Sequence, residues 1–154
     1  MGSLETPTEQ QAHSLLLNDQ LCFALYAASR AVTQRYRPLL EALGLTYPQY
    51  LVLLVLWEHG TVPIKDIGAA LNLDYGTLTP LIKRLESAGL LSRERRPEDE
   101  RTVLVTLTEQ GRDLREQARA VPTAIGEAMG LTPSQFEQAR HLLRLLTANV
   151  SAQP

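Results

Sequence analysis

The chain has 154 residues, of which 44% are apolar and 21% charged, as in a globular rather than a disordered protein, and its net charge of -2 argues mildly against nucleic-acid binding. Its single cysteine excludes an internal disulfide and a four-cysteine zinc site, and no metal or cofactor is expected. Without a run of about 18 apolar residues or a secretory signal, the sequence predicts a cytoplasmic protein with no membrane segment.

The N-terminal part of the chain predicts a polar tail followed by helices. Residues 1–14 are polar, and we expect them to form a flexible tail. Asn18 or Asp19 can cap a helix through LCFALYAASRAVTQRY, which Pro38 ends or kinks before a short helical piece. The next helix, YLVLLVLWEHG, follows a capping-box sequence that starts at Thr46, and its nearly continuous apolar surface predicts burial.

Two shorter helices and a hairpin follow. Ile64 to Leu71 carries its apolar residues on one helical face, and Asp74 can cap a second helix through YGTLTPLIKRLESAG. From Leu90 to Leu107 apolar residues alternate with others on either side of the polar tip RPEDER, which is typical of a β-hairpin. This order predicts a helix–turn–helix followed by a two-stranded wing.

The C-terminal part predicts two more helices. Thr108 can cap a long helix to about Met129, and Thr132 to Gln135 is a second capping box with proline at the first helical position. The last helix has a continuous apolar stripe. The fold class is therefore mainly α, with helices on both sides of a winged helix–turn–helix.

The helix–turn–helix with an arginine-bearing hairpin indicates DNA binding. In such a module the second helix enters the major groove, and a long arginine on the hairpin can reach a narrow minor groove. The candidates on the helix are Tyr75, Thr77, Thr79, Lys83 and Arg84, and those on the hairpin are Arg93, Arg95, Arg96, Asp99 and Arg101. Asp99 can orient the Arg101 guanidinium. The alternative is a solvated hairpin whose acidic and basic residues pair with one another.

Cys22 has two interpretations. A lone cysteine on an apolar helix is commonly a small buried hydrophobic residue. Alternatively, Asn18 as the helix cap places Cys22 in the first turn, where the helix dipole favours a thiolate. Tyrosines that could donate a hydrogen bond to a thiolate lie at Tyr26, Tyr36 and Tyr47.

The stretch from Asn18 to Glu58 closely resembles the organic hydroperoxide resistance regulators (OhrR), a branch of the MarR family. The similarity continues through KDIGAALNLDYGTLTPLIKRLESAGLL as the helix–turn–helix and RERRPEDERTVLVTLTEQG as the wing, and it covers roughly residues 15 to 150. Its most specific part is Cys22 with Tyr36 and Tyr47 at the family's spacing.

The resemblance implies a homodimeric repressor that binds palindromic double-stranded DNA. Cys22 is then expected to react with organic hydroperoxides, with Tyr36 and Tyr47 contacting it across the dimer and Tyr26 nearby, and oxidation is expected to release the operator. The expected regions are a tail at 1–14, N-terminal dimerisation and sensing helices at 15–60, the DNA-binding domain at 61–107 and C-terminal dimerisation helices at 108–150.

One departure from the family pattern concerns the oxidised state. Some members carry a second cysteine in the helix after the wing, and the region around Glu127 has none. The single-cysteine type implies that a low-molecular-weight thiol caps the oxidised Cys22. Two alternatives to the peroxide sensor stay open at this point. One is a repressor that binds a small aromatic ligand in the dimer crevice, and the other is a thiol peroxidase.

Overall fold

A computed structural model describes residues 14–152, so apart from Ser14 the predicted tail lies outside the described residues. The helices of this part are α1 (Leu21–Glu41), α2 (Tyr47–His59), α3 (Ile64–Leu71), α4 (Tyr75–Ser87), α5 (Glu109–Ala118), α6 (Ala120–Met129) and α7 (Pro133–Ser151). The strands are β1 (Thr61–Pro63), β2 (Leu91–Arg96) and β3 (Asp99–Leu107), and a short 3-10 helix (Leu17–Asp19) precedes α1. None of the described helices is long and apolar enough to cross a membrane.

Four of the predicted helix caps are confirmed. The side chains of Thr46, Asp74, Thr108 and Thr132 each accept a hydrogen bond from the backbone N–H three residues later. Gln49 and Gln135 complete two capping boxes, because the side-chain oxygen of each accepts a hydrogen bond from the backbone N–H of Thr46 or Thr132. These side chains fix where α2, α4, α5 and α7 begin.

The start of α1 differs from the prediction. Gln20 occupies the cap position without a side-chain cap bond, whereas Asn18 and Asp19 lie in the preceding 3-10 helix. The Gln20 amide instead donates to the carbonyl oxygens of Ser14 and Leu16 at 2.7 and 3.1 Å. Cys22 is still in the first turn of α1, as predicted, but the predicted cap is wrong because Gln20 ties the preceding turn to the helix.

Pro38 does not end α1, which continues through it to Glu41. Pro38 removes one backbone hydrogen bond near the end of the helix. Leu40 in the same turn is buried and belongs to the hydrophobic core, with Leu39 packed against it. Burial of these side chains offsets the lost bond, since a buried leucine stabilises a fold by about 1.5–3 kcal/mol.

The predicted long helix after the wing is two helices, α5 and α6, separated at Arg119. In a continuous helix the residue at 122 would donate its N–H to the carbonyl of Ala118, and Pro122 has no N–H to donate. The Arg119 N–H donates to the Glu116 carbonyl, three residues back, at 3.4 Å. Pro122 therefore explains the break that the apolar pattern alone did not show.

The three strands form one antiparallel sheet in the order β1–β3–β2. The predicted hairpin is confirmed, with Leu91 opposite Leu107 and Arg93 opposite Val105. Strand β1 was not predicted, because three residues are too few to show alternation. The sheet and helices α2, α3 and α4 enclose the centre of the core, which contains Val52, Leu53, Leu56, Ile67, Leu78, Ile82, Leu85 and Val105.

The two ends of the described chain carry large apolar side chains exposed to solvent. Helix α7 has no buried residue, although its sequence has the predicted apolar stripe. The exposed apolar residues at the N-terminal end include Leu15, Leu16, Leu17, Leu21 and Phe23, and those of α7 include Phe136, Leu142, Leu143, Leu145 and Val150. A single chain therefore leaves both surfaces uncovered.

Candidate functional site

Cys22 is the second residue of α1, and it is free and exposed. This exposure rules out the interpretation of Cys22 as a residue buried within its own chain. It lies in the first turn of α1, at the positive end of the helix dipole. Tyr26, one turn further along α1, is also exposed, and the Arg30 guanidinium lies 5.6 Å from the centre of its ring.

Tyr36 and Tyr47 form a cluster at the other end of α1. Their ring centroids are 4.7 Å apart, and Tyr50 lies 5.8 Å from Tyr36 and 6.4 Å from Tyr47. Trp57 extends the cluster, 6.3 Å from Tyr50, and its Nε1–H donates to the Gly111 carbonyl at 2.9 Å. Sequence analysis missed Tyr50, whose signal is its place three residues after Tyr47 and seven before Trp57 on one helix.

The hydroxyls of this cluster are held in the protonated form. Burial raises the pKa of Tyr36 to about 12, and the neighbouring Tyr47 and Tyr50 contribute to the rise. Burial also raises the pKa of Tyr47 and of Tyr50 above the ordinary value. At neutral pH all three hydroxyls can therefore donate a hydrogen bond to an anionic acceptor such as a thiolate.

Within one chain, Cys22 and the tyrosine cluster are far apart. Cys22 and Tyr36 are fourteen residues apart on α1, which corresponds to about 21 Å along the helix axis. A hydrogen bond requires about 3 Å. The structure therefore brings Tyr36 together with Tyr47 but keeps both away from the Cys22 of the same chain.

The second helix of the helix–turn–helix, α4, presents the predicted polar residues on its outer side. Tyr75, Thr77, Lys83 and Arg84 are exposed, whereas Leu78, Ile82 and Leu85 are buried on the opposite face. Thr79 is half-buried, and its hydroxyl donates to the Tyr75 carbonyl at 2.8 Å. The N-terminal half of α4 is thus free to approach a ligand from outside.

The tip of the wing is held by Asp99. Its two carboxylate oxygens accept the Arg101 backbone N–H and the Thr102 hydroxyl, both at 3.0 Å. The expectation that Asp99 orients the Arg101 guanidinium is wrong, since it orders the backbone of the turn. Arg95, Arg96 and Arg101 are exposed, and Arg95 donates to the Glu100 carbonyl at 3.1 Å.

Arg93 differs from the other arginines of the wing. It is half-buried, and its guanidinium forms an ion pair with Glu86 at the end of α4. The structure therefore separates three exposed arginines at the tip from one that joins the wing to the helix. Sequence analysis did not single out Glu86.

Comparison with known proteins gives consistent matches. The family profile described as transcriptional regulator SarA/Rot matches residues 34–117. The organic hydroperoxide resistance transcriptional regulator of Bacillus subtilis is 49% identical over 134 residues, which are 87% of this chain and 89% of that protein.

Two solved structures of AbfR, from Staphylococcus epidermidis, have a similar fold. Reduced AbfR bound to DNA gives a TM-score of 0.74 and 38% identity, with coverage of 88% of this chain and 92% of that chain. Overoxidised AbfR bound to DNA gives a TM-score of 0.73 and 39% identity, with coverage of 87% and 94%.

The fold and these matches define a winged-helix transcriptional regulator. The chain belongs to the MarR family, in the branch of the organic hydroperoxide resistance regulators. The matching proteins are transcriptional regulators and not enzymes, which confirms the prediction of a regulator over that of a thiol peroxidase.

Proposed function

We propose that this protein is a transcriptional repressor that acts in the cytoplasm, senses organic hydroperoxides by oxidation of Cys22, and then releases its operator DNA. The observation that carries the proposal is an exposed cysteine in the first turn of α1 in a chain that also presents a cluster of protonated tyrosines. The 49% sequence identity with the organic hydroperoxide resistance regulator of Bacillus subtilis supports an organic hydroperoxide as the oxidant.

The sensing site is completed in a homodimer. The distance along α1 keeps Cys22 away from Tyr36 and Tyr47 of its own chain, so these tyrosines contact the Cys22 of the second subunit. The uncovered apolar residues at the N-terminal end and on α7 supply the surfaces that such a dimer buries. Tyr26, one turn from Cys22, lines the same site.

The chemistry begins with attack by the Cys22 thiolate on the outer oxygen of the hydroperoxide. An S–O bond forms and the O–O bond breaks, so the cysteine becomes a sulfenic acid and the hydroperoxide leaves as an alcohol after gaining a proton. A low-molecular-weight thiol then forms a mixed disulfide with Cys22 and releases water. The bulk of this group displaces the tyrosines and separates the two winged helices.

Each subunit contributes one winged helix to a palindromic operator. The polar side of α4, with Tyr75, Thr77, Thr79, Lys83 and Arg84, faces the major groove, and Arg95, Arg96 and Arg101 of the wing reach the minor groove. The basic residues of this face support DNA binding despite the net charge of -2. In a dimer of this type the half-sites lie about 34–36 Å apart.

A gel-shift assay tests this function. DNA from upstream of the protein's own gene is incubated with the protein before and after cumene hydroperoxide and a small thiol are added. We expect the parent to bind and then release the DNA, and Cys22→Ser to bind and stay bound. A parent that remains bound after oxidation would contradict the proposal. Equal release of Cys22→Ser would favour a non-covalent ligand.

A further inference from the structure

The side chains of Glu86, at the end of α4, and Arg93, in β2, form a paired contact that we call the Glu86–Arg93 clamp. Nε and Nη2 of Arg93 donate to Oε1 of Glu86 at 3.2 and 2.9 Å. The backbone N–H of Arg93 donates to Oε2 at 3.1 Å. Both carboxylate oxygens are therefore occupied by one residue of the wing, through its side chain and its main chain.

The clamp differs from the other ion pairs of the described residues. Its side chains are 30% and 36% exposed, less than those of the other pairs. The others join residues no more than four apart, within one helix or at its end, and are Arg37–Glu41, His59–Glu58, Arg119–Glu116 and Arg140–Glu137. Hydrogen bonding from the Arg93 side chain holds the pKa of Glu86 below its usual value, against the opposing effect of burial. Exposed pairs within one helix contribute little, whereas this one joins two elements.

The clamp spans the short connection between α4 and the wing. Helix α4 ends at Ser87 and β2 begins at Leu91. Gly89 in the turn has a φ of 78°, and the Leu90 N–H donates to the Leu85 carbonyl at 3.0 Å. The clamp therefore joins β2 directly to the last turn of α4, across the connection formed by residues 88–90.

We propose that Glu86 is a positioning residue for DNA binding, which acts through Arg93 to fix the angle between α4 and the wing. This inference rests on the proposed DNA-binding function. The helix and the wing must reach two grooves at the same time. When their relative orientation is already fixed, less conformational entropy is lost on binding.

This role predicts an effect opposite to that of charge alone. Glu86→Gln removes a negative charge near the DNA-binding face and leaves the Arg93 guanidinium without its ion pair. If charge dominated, the variant would bind DNA more tightly, and a new phosphate contact would steepen the dependence on salt by about 0.9 in the log–log slope. If the clamp positions the wing, binding weakens instead.

The first test measures the affinity for a labelled duplex of the protein's own promoter by fluorescence anisotropy at matched salt. We expect Glu86→Gln to bind roughly fivefold more weakly or worse. Glu94→Gln is the matched control. Glu94 is exposed on β2, next to Arg93, and its replacement removes the same charge as Glu86→Gln. We expect Glu94→Gln to bind as tightly as the parent or more tightly. If Glu86→Gln binds the duplex as tightly as Glu94→Gln does, the inference is overturned.

A second pair of variants tests whether Arg93 acts through Glu86. Arg93→Lys keeps the charge but loses the planar fork that engages the carboxylate. We expect it to weaken binding about as much as Glu86→Gln, and the double variant to be no weaker than either single one. Additive losses in the double variant would show that Arg93 contacts DNA independently and would contradict the inference.

A third measurement needs no DNA. Glu86→Gln leaves a single uncharged acceptor oxygen for the Arg93 N–H and guanidinium, which use two carboxylate oxygens in the parent. In amide hydrogen exchange of the free protein we therefore expect faster exchange at Arg93 and along β2, with no change in Glu94→Gln. Unchanged exchange would overturn the positioning role even if affinity falls. A parent protein that binds no promoter DNA would count against the proposed function. The exchange experiment would still show whether Glu86 holds Arg93 and β2 in place in the free protein.

Discussion

At the scale of single residues, the proposed sensor depends on a tyrosine that keeps its proton. Tyr36 packs against Tyr47 and Tyr50 and is half-buried, and its pKa of about 12 leaves it a donor throughout the physiological range. A donor aimed at a thiolate stabilises the reactive form of the cysteine. It can also stabilise the oxygen that leaves the peroxide.

Replacement of Tyr36 by phenylalanine keeps the ring and removes only the donor. We expect the rate constant of Cys22 with cumene hydroperoxide to fall about ten- to hundredfold, because a hydrogen bond to a charged group contributes about 1.5–3 kcal/mol. Stopped-flow kinetics measures this rate. Tyr75→Phe is the control, since Tyr75 is exposed on α4. If Tyr36→Phe reacts at the parent rate, the tyrosine has no part in sensing.

At the scale of elements, the wing presents its exposed arginines on a turn ordered by Asp99. Arg101→Ala should weaken operator binding by roughly 1–3 kcal/mol through loss of a minor-groove contact. Arg119→Ala removes the same charge at the α5–α6 break and should leave binding unchanged. Fluorescence anisotropy at a fixed salt concentration compares the two. Parent-like affinity of Arg101→Ala would remove this residue from the DNA interface.

The junction between the wing and α5 depends on a glycine. A Cβ at Gly111 would lie 2.0 Å from the Leu90 carbonyl oxygen, whereas a Cβ at Gly126 in α6 would meet nothing within 4 Å. We expect Gly111→Ala to lower the free energy of unfolding by roughly 1–3 kcal/mol or more. Gly126→Ala should raise it by about 0.5–1 kcal/mol. Urea unfolding measures both, and a stable Gly111→Ala would contradict this close packing.

The sequence predicts elements well where a side chain acts on its immediate neighbours. Thr46, Asp74 and Thr132 bond to atoms three residues away, so their effect can be read locally. The continuation of α1 through Pro38 could not be predicted from the local sequence, because it depends on the burial of Leu40 by residues distant in the chain. The site follows the same rule: Tyr36 and Tyr47 could be named, but their contact with each other and with Tyr50, and the partner of Arg93, depend on the packed structure.

At the scale of the whole molecule, the exposed faces predict an obligate dimer. Leu142 is 62% exposed and Leu21 is 69% exposed in the single chain, each among several other exposed large apolar side chains, and proteins normally cover apolar surface of this extent. We expect light scattering at micromolar concentration to give about twice 17.1 kDa. The unfolding temperature should rise with protein concentration. A folded 17.1 kDa species with a concentration-independent unfolding temperature would contradict the dimer.

The length of α1 between Cys22 and Tyr36 has a genetic consequence. A cell that carries only a Cys22→Ser allele, or only a Tyr36→Phe allele, has no site with both residues. In a cell with both alleles, mixed dimers contain one site with the intact cysteine and the intact tyrosine, and one site with neither. The two alleles should therefore complement each other in part. Mixed dimers can leave the operator after peroxide, whereas the Cys22→Ser homodimers in the same cell stay bound, so a promoter fusion should regain only part of its peroxide induction. Alleles that each lose Cys22 should fail to complement.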